Sequence, residues 1–445
     1  MTLLDHIGGM RPDNVALVGG WGRQDYGDLA ARAGALRERL SPTGLRVFLN
    51  LSDLSEALVA LAALDGIVDA VVLSSPSLDE ATLCTLAGVS ADAIITDRTD
   101  LHGSDLPVLR DPAELAGLRS APETCSTRWI MTTSGTTGRP KLVEHSLESL
   151  SRTTRKDRAR GTGQVWGLLY DYTRFAGLQV VLQSLLSGAR LVVPEADSPL
   201  DDRLALLSAE GCTHLSATPT LWRKILMSRA VDGLALRQVT LGGEIADDAV
   251  LRALARSFPE ARISHIFAST EAGVGFSVTD GKAGFPESYL TDPPQGISLK
   301  VEDGRLFVHN DRVGPAYVGG GDIACDGWVD TGDLVARRGG RIVFLGRGSG
   351  VINVGGDKVV PEEVETVLLT HPEVHMARVY AKTNPIMGAL VAADVHPEPG
   401  SDPTQLRASL RDWCAARLDR HKVPAVFRMV DQFRTNAAGK IERSN

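Results

Sequence analysis

The chain has 445 residues, 43% hydrophobic and 23% charged, with a formal net charge of −8 at pH 7. That length exceeds one ordinary core and implies two or three domains of globular composition. The acidic balance, with Lys and Arg scattered rather than striped, leaves no nucleic-acid footprint, and no apolar run approaches the roughly 20 residues that span a bilayer. Five cysteines, Cys84, Cys125, Cys212, Cys325 and Cys414, are widely spaced and form no C-x-x-C pair. Neither a zinc site nor a disulfide framework is expected, and the N-terminus lacks the basic start and apolar core of a signal peptide. A reduced, cytoplasmic compartment fits both.

Leu29, Ala33, Leu36 and Leu40 recur at helical spacing, and Val47-Phe48-Leu49 reads as a short buried strand. The alternation returns with Glu56 to Leu64 and Ala70 to Leu73, then with Ile94-Ile95. This is the pattern of stacked βα units around a mostly parallel sheet. The apolar Trp129-Ile130-Met131 run, a strand end, leads into Thr132-Thr133-Ser134-Gly135-Thr136-Thr137-Gly138-Arg139-Pro140-Lys141. Its glycines permit tight turns and close approach, while hydroxyls, amides and two cations suit a polyphosphate. The spacing is not the Walker pattern, since no Ser or Thr follows the lysine. The alternative is a polar surface turn between a strand and a helix.

Further along, Gln238 to Leu241 reads as a strand followed by Gly242-Gly243-Glu244. Between about 297 and 345, short strands (Ser298 to Glu302, Arg305 to His309, Arg341 to Leu345) predict a small antiparallel subdomain. Gly348-Ser349-Gly350 suits a hinge, with Ser349 at its centre. The remaining residues predict a compact α/β module. In it Pro361 opens one helix, and Ser401-Asp402-Pro403 caps another carrying Leu406, Leu410 and Trp413. The expected division is therefore 1–347 and 348–445.

The Thr132–Lys141 stretch resembles the phosphate loop of adenylate-forming enzymes, the group of acyl-CoA synthetases, adenylation domains and luciferases. Ser269-Thr270-Glu271, Trp328 to Asp333, Gly346-Arg347, Asn353 to Glu365 and Asn436 to Lys440 follow in that family's order. The resemblance spans nearly the whole chain. It implies a large N-terminal α/β domain and a small mobile C-terminal one. It also implies a reaction in which a carboxylic acid attacks ATP, giving an acyl-adenylate and pyrophosphate. By resemblance, Thr132, Thr133, Ser134, Gly135, Thr136, Thr137, Gly138 and Lys141 hold the phosphates. Thr270 holds the α-phosphate and Glu271 holds magnesium, a hard ion suited to oxygen ligands. Gly242, Gly243 and Glu244, with Ala268 and Ser269, lie beside the nucleotide. Asp333 accepts from the ribose hydroxyls, Arg347 touches the ribose, and Lys440 bridges the attacking carboxylate and the α-phosphate. In CoA ligases the loop corresponding to Gly355, Gly356 and Lys358 flanks the thiol channel after a domain rotation.

Two departures stand out. Ser349 falls where relatives usually carry Asp or Lys at the hinge, and Arg174 takes the place of a histidine on the acid-pocket wall. A half-buried guanidinium requires an anionic or polar partner, either a second group on the substrate or Asp171. Tyr172, Arg174, Phe175, Ala217 and Gly273 line the acid pocket by position, with Tyr170, Thr218 and Val274 near them. The aromatics favour a small aryl or polar acid over a long chain. CoA is the expected acceptor; an acyl carrier protein, transfer of another oxyanion such as nitrite to an amine, and a non-catalytic nucleotide-binding relative are the alternatives. No membrane or nucleic-acid partner is expected.

Overall fold

The computed structural model describes residues 1–118, 126–133, 140–294, 296–310, 317–384 and 388–433. Within them the expected βα alternation forms two sheets, not one. The first has eight strands, in the order Gly273–Val278, Arg262–Ser269, Gln238–Gly242, His214–Ala217, Val165–Leu168, Arg190–Val192, Val15–Gly19, Gly22–Asp25. The second has six: Val108–Leu109, Ala93–Thr96, Arg46–Asn50, Ala70–Leu73, Arg128–Thr132, Leu142–His145. Interior pairs of both sheets are parallel; antiparallel pairs close both edges of the first sheet and the Leu142–His145 edge of the second, whose Val108–Leu109 edge is parallel.

One core joins the two sheets. It takes Leu17, Leu168 and Leu191 from the first, Val47, Leu49, Val71, Leu73 and Met131 from the second, and helices from between. In the Leu54–Leu64 helix every residue but Glu56 is buried. A helix apolar all round has no solvent face and is stable only when enclosed. The first helix predicted from spacing runs Tyr26–Glu38 and ends before Leu40. Ser41 precedes Pro42, and a residue before proline is disfavoured in helical backbone.

The antiparallel subdomain is present, with Ser298–Glu302 and Arg305–His309 bounded as expected and Arg341–Arg347 two residues longer. Trp328–Arg338 is one continuous strand pairing with Arg305–His309 and Arg341–Arg347. The left-handed Gly332 (φ 72) and a register shift between Leu334 and Val335 supply the local irregularity.

The C-terminal module has its own core, drawn from the Ile352–Val354 and Asp357–Val359 hairpin, the helices Pro361–Leu368 and Pro403–Ala415, and a three-stranded sheet. Asp402 caps the second helix by accepting from the amides of Thr404 and Gln405. Leu406 and Leu410 are buried, and the Trp413 indole N–H donates to the Val367 carbonyl. The module meets the rest of the chain at a few places. Lys224 Nζ donates to the Phe433 carbonyl at 3.2 Å, and Arg338 lies 3.8 Å from Glu363. A Cβ on Gly346 would stand 2.5 Å from Val360 Cγ1 and 2.3 Å from Glu362 Oε2. Among the described residues, no helix is long and apolar enough to cross a membrane.

Candidate active site

Neighbouring parallel strands of the eight-stranded sheet end side by side. Ala217 pairs with Leu241 in register, and Gly242 pairs with Ile266 two residues before Ala268. Ala217, Gly242, Gly243, Ala268 and Ser269 therefore gather at one rim. The carboxyl ends of parallel strands are where open α/β sheets bind ligands. Gly243 is left-handed (φ 82), so the chain turns there without a side chain in the way. Glu244 accepts from the Thr220 amide at 3.0 Å in the first turn of the Pro219–Met227 helix. Thr218 caps that helix by accepting from Leu221.

Thr270 and Glu271 occupy the tip of a hairpin. Ser269 pairs with Gly273, which is left-handed (φ 70), leaving Thr270, Glu271 and Ala272 as the loop. A three-residue hairpin loop followed by a left-handed glycine is a favoured turn. Ser269 Oγ accepts from the Ala272 amide at 2.9 Å, and Ala272 is fully buried in the core beneath. The tip is thus pinned from below while Glu271 stays half-buried at its apex.

The glycine-rich stretch also joins two strands, not a strand and a helix. Arg128–Thr132 pairs antiparallel with Leu142–His145, and the Thr133 amide donates to the Lys141 carbonyl at 2.8 Å. Ser134, Gly135, Thr136, Thr137 and Gly138 lie outside the described residues. Their flanks carry a clear signature. Thr132 and Thr133 are 2% and 7% exposed, and neither Oγ1 has a hydrogen-bond partner among the described residues. Leaving a buried hydroxyl unpaired costs about 1–3 kcal/mol. Phosphate oxygens are acceptors that would satisfy both, so the residues present fit a phosphate.

One side chain outside the predicted set ties these hairpins together, and a second lies beside them. His145, closing the Leu142–His145 strand, reaches the Thr270 carbonyl through Nε2 at 2.9 Å. A carbonyl only accepts, so Nε2 carries the proton. Burial lowers the imidazole pKa to about 4 despite that bond, and the ring lies 5.7 Å from that of Phe175. Tyr317 stands under Lys141, whose Nζ is 4.3 Å from the ring centroid. Burial first, then the nearby Glu271 charge, push the Tyr317 phenol up. Neither residue belongs to a recognisable motif; only their long-range contacts single them out.

Asp333 and Arg347 face each other across paired strands. Arg347 Nε lies 2.9 Å from Asp333 Oδ1, and its Nη1 donates to the Thr331 carbonyl at 2.7 Å. Asp333 is 7% exposed, whereas half of the Arg347 side chain is open to solvent. A buried carboxylate held by an exposed cation offers acceptors for a vicinal diol.

Around the expected acid pocket the polar groups satisfy one another. Asp171 Oδ2 accepts from Ser75 at 2.7 Å, and Oδ1 accepts from the Thr173 amide at 2.9 Å and hydroxyl at 2.6 Å. Arg174 Nε is 3.9 Å from Asp171 Oδ2, a long contact, with a quarter of its side chain exposed. Tyr172 is buried in the main core and donates to the Leu51 carbonyl, while Phe175 opens the next helix. Gly177 is required there, because a Cβ would lie 2.1 Å from the Asp171 carbonyl oxygen.

Gly355 and Gly356, both left-handed (φ 60 and 106), form the turn of the 352–359 hairpin, and Asn353 Oδ1 accepts from Gly356. Two positive-φ residues in a two-residue hairpin turn explain the Gly-Gly pair. They and Lys358 are exposed. Ser349 is exposed in the short 348–350 turn after Arg347. Lys440 lies outside the described residues.

The family model for AMP-binding enzymes matches residues 4–324, and that for the AMP-binding enzyme C-terminal domain matches residues 363–440. A 2-succinylbenzoate–CoA ligase of Bacillus pumilus is 27% identical over 98% of this chain and 96% of its own. A salicylyl-CoA synthase / salicylate adenylyltransferase of Streptomyces is 27% identical over 80% of this chain and 69% of its own. The crystal structure of the anthranilate CoA ligase AuaEII with anthranoyl-AMP superposes with a TM-score of 0.81. It is 18% identical and covers 99% of this chain and 95% of that one.

Proposed function

This chain belongs to the family of AMP-binding enzymes and is an adenylate-forming ligase, and on that premise we propose that it activates a small aryl or polar carboxylic acid with ATP and transfers it to the thiol of CoA. In the first step a carboxylate oxygen attacks the α-phosphorus and the bond to pyrophosphate breaks, leaving the acyl-adenylate. In the second a thiolate attacks the acyl carbon and AMP leaves. The observation that carries the reading is the pair of buried hydroxyls, Thr132 and Thr133, without partners among the described residues, on a strand pair that His145 links to the Thr270–Glu271 hairpin.

Both reactants of the first step are anions, so the site must supply positive charge and alignment more than a base. The two threonine hydroxyls and Lys141 would hold the phosphates. Glu271 would hold magnesium, which polarises phosphoryl oxygens and screens their charge. Asp333, braced by Arg347, would accept from the ribose, and Lys440 would meet the attacking carboxylate. With a domain boundary near 347–348, Ser349 would sit at the hinge of a rotation that exchanges Lys440 for the Gly355–Lys358 hairpin. The acid class rests on the names of the relatives, whose substrates are aryl acids. Arg174 would read a second polar group on that acid.

The test is a product screen by mass spectrometry with magnesium, ATP and a panel of aryl, short-chain and dicarboxylic acids, with and without CoA. An acyl-CoA product is expected from an aryl acid. AMP and pyrophosphate without any CoA product would move the acceptor to a carrier protein, and the absence of AMP across the panel would overturn the reading.

A further inference from the structure

The loop of the Thr270–Glu271 hairpin is held at each of the three peptide units from Thr270 to Gly273. The unit between Glu271 and Ala272 gives its N–H to Ser269 Oγ at 2.9 Å. The carbonyl of Ala272 accepts from Asn310 Nδ2 at 2.9 Å. The carbonyl of Thr270 takes the proton on His145 Nε2 at 2.9 Å. The two-residue period of the Leu142–His145 strand brings this histidine there. Leu142 packs into the core that holds Phe48, Val72 and Ile130, and Glu144 pairs with Arg128 at 2.8 Å. Val143 and His145 therefore share the opposite face. Val143 is fully buried in the same core as Ala272, so the strand reaches the hairpin through packing as well as through the hydrogen bond. His145 is 4% exposed, its backbone is in register with the buried Trp129, and the Phe175 ring stands 5.7 Å from its own.

We propose that His145 is a positioning residue for nucleotide, fixing the peptide plane between Thr270 and Glu271 so that both side chains meet their ligand in a set geometry. The bond is made at the joint between the two residues and occupies neither side chain. A peptide plane at a loop tip turns with little movement of its neighbours, and such a turn would redirect the Thr270 hydroxyl and the Glu271 carboxylate together. A loop ordered before its ligand arrives spares the cost of ordering it on binding. Without the imidazole the Thr270 carbonyl would lose its donor, the empty loop would turn it toward water, and nucleotide would have to reverse that turn. This inference rests on the assignment of Thr270 and Glu271 to the phosphates and magnesium above.

The experiment measures affinity for ATP with magnesium, and for adenosine, by titration calorimetry in wild type, His145→Gln and His145→Leu. Glutamine carries an amide N–H at about the reach of Nε2, whereas leucine fills the space without a donor. His145→Leu is expected to weaken ATP binding about tenfold, the lower end for an acceptor left unpaired because Thr270 is half-buried. His145→Gln is expected to stay within about twofold of wild type. Adenosine, which has no phosphate, should bind all three alike. Where His145→Leu does not fold, His145→Asn replaces it and is read the same way, since its shorter amide stops near the Nδ1 position. Equal ATP affinity in wild type and His145→Leu overturns the inference alone, as does an equal loss in His145→Gln. A parallel fall in adenosine affinity marks a merely structural role and overturns it too. Wild-type protein that binds ATP no better than adenosine overturns the phosphate assignment and the inference with it.

Discussion

The proposed nucleotide side and the proposed acid side of the site treat their polar groups in opposite ways. On the nucleotide side Thr132 and Thr133 keep buried hydroxyls without partners among the described residues. On the acid side Asp171 accepts from Ser75 and twice from Thr173 and lies near Arg174. A protein tolerates unpaired buried donors where a ligand completes them, and it closes networks where the fold itself needs them. The difference therefore separates surface kept for a ligand from surface that supports the scaffold.

The largest expected effect lies on the nucleotide side. Lys440→Ala should slow pyrophosphate release about 10²–10³-fold, the cost of removing one charge-stabilising donor from a transition state. Adenylate formation at the wild-type rate would remove Lys440 from the chemistry.

Next is the bond joining the two nucleotide hairpins. His145 has a pKa of about 4 in the folded chain against 6.5 unfolded, through burial. The unfolded chain thus takes up a proton that the folded chain refuses. Stability is fully present above pH 6.5 and falls as pH drops toward 4, by about 3 kcal/mol from this group. Denaturant unfolding of wild type and His145→Gln across pH 4–7 should show a flatter acid limb in the variant. Parallel limbs would mean that His145 titrates normally.

Thr132→Val sharpens the comparison further. Removing an unpaired buried hydroxyl should leave the melting temperature unchanged or raised, while ATP affinity falls about tenfold, near 1.4 kcal/mol. A drop in melting temperature with unaltered ATP affinity would reverse the assignment of the two sides.

The smallest effect belongs to Arg174→Met. An ion pair at 3.9 Å contributes under about 1 kcal/mol to stability. If Arg174 reads the substrate, kcat/KM should fall only for acids with a second polar group. Unchanged preference across the panel would leave Asp171 as its whole role.

Local features were legible from sequence because period and turn chemistry act over few residues. Ala70–Leu73, Ser298–Glu302 and Arg305–His309 have the expected bounds, and Pro361 and Asp402 open their helices as read. The partition into two sheets was not legible, since which strands pair depends on packing across helices such as Leu54–Leu64. The same reason hid His145, whose partner Thr270 is 125 positions away, and Tyr317. Tyr172 shows the converse limit. Its place near an expected pocket could be read, but not that its hydroxyl reaches the Leu51 carbonyl from inside the core.

Gly346 has no atoms to spare for the module packed against it. Val360 and Glu362 stand where its first side-chain carbon would be. A single methyl there would act as a shim between the lobes, one that a glutamate could swing aside from but a branched valine could not. The set-point of any lobe rotation would move, although no atom that meets nucleotide, acid or thiol had been altered.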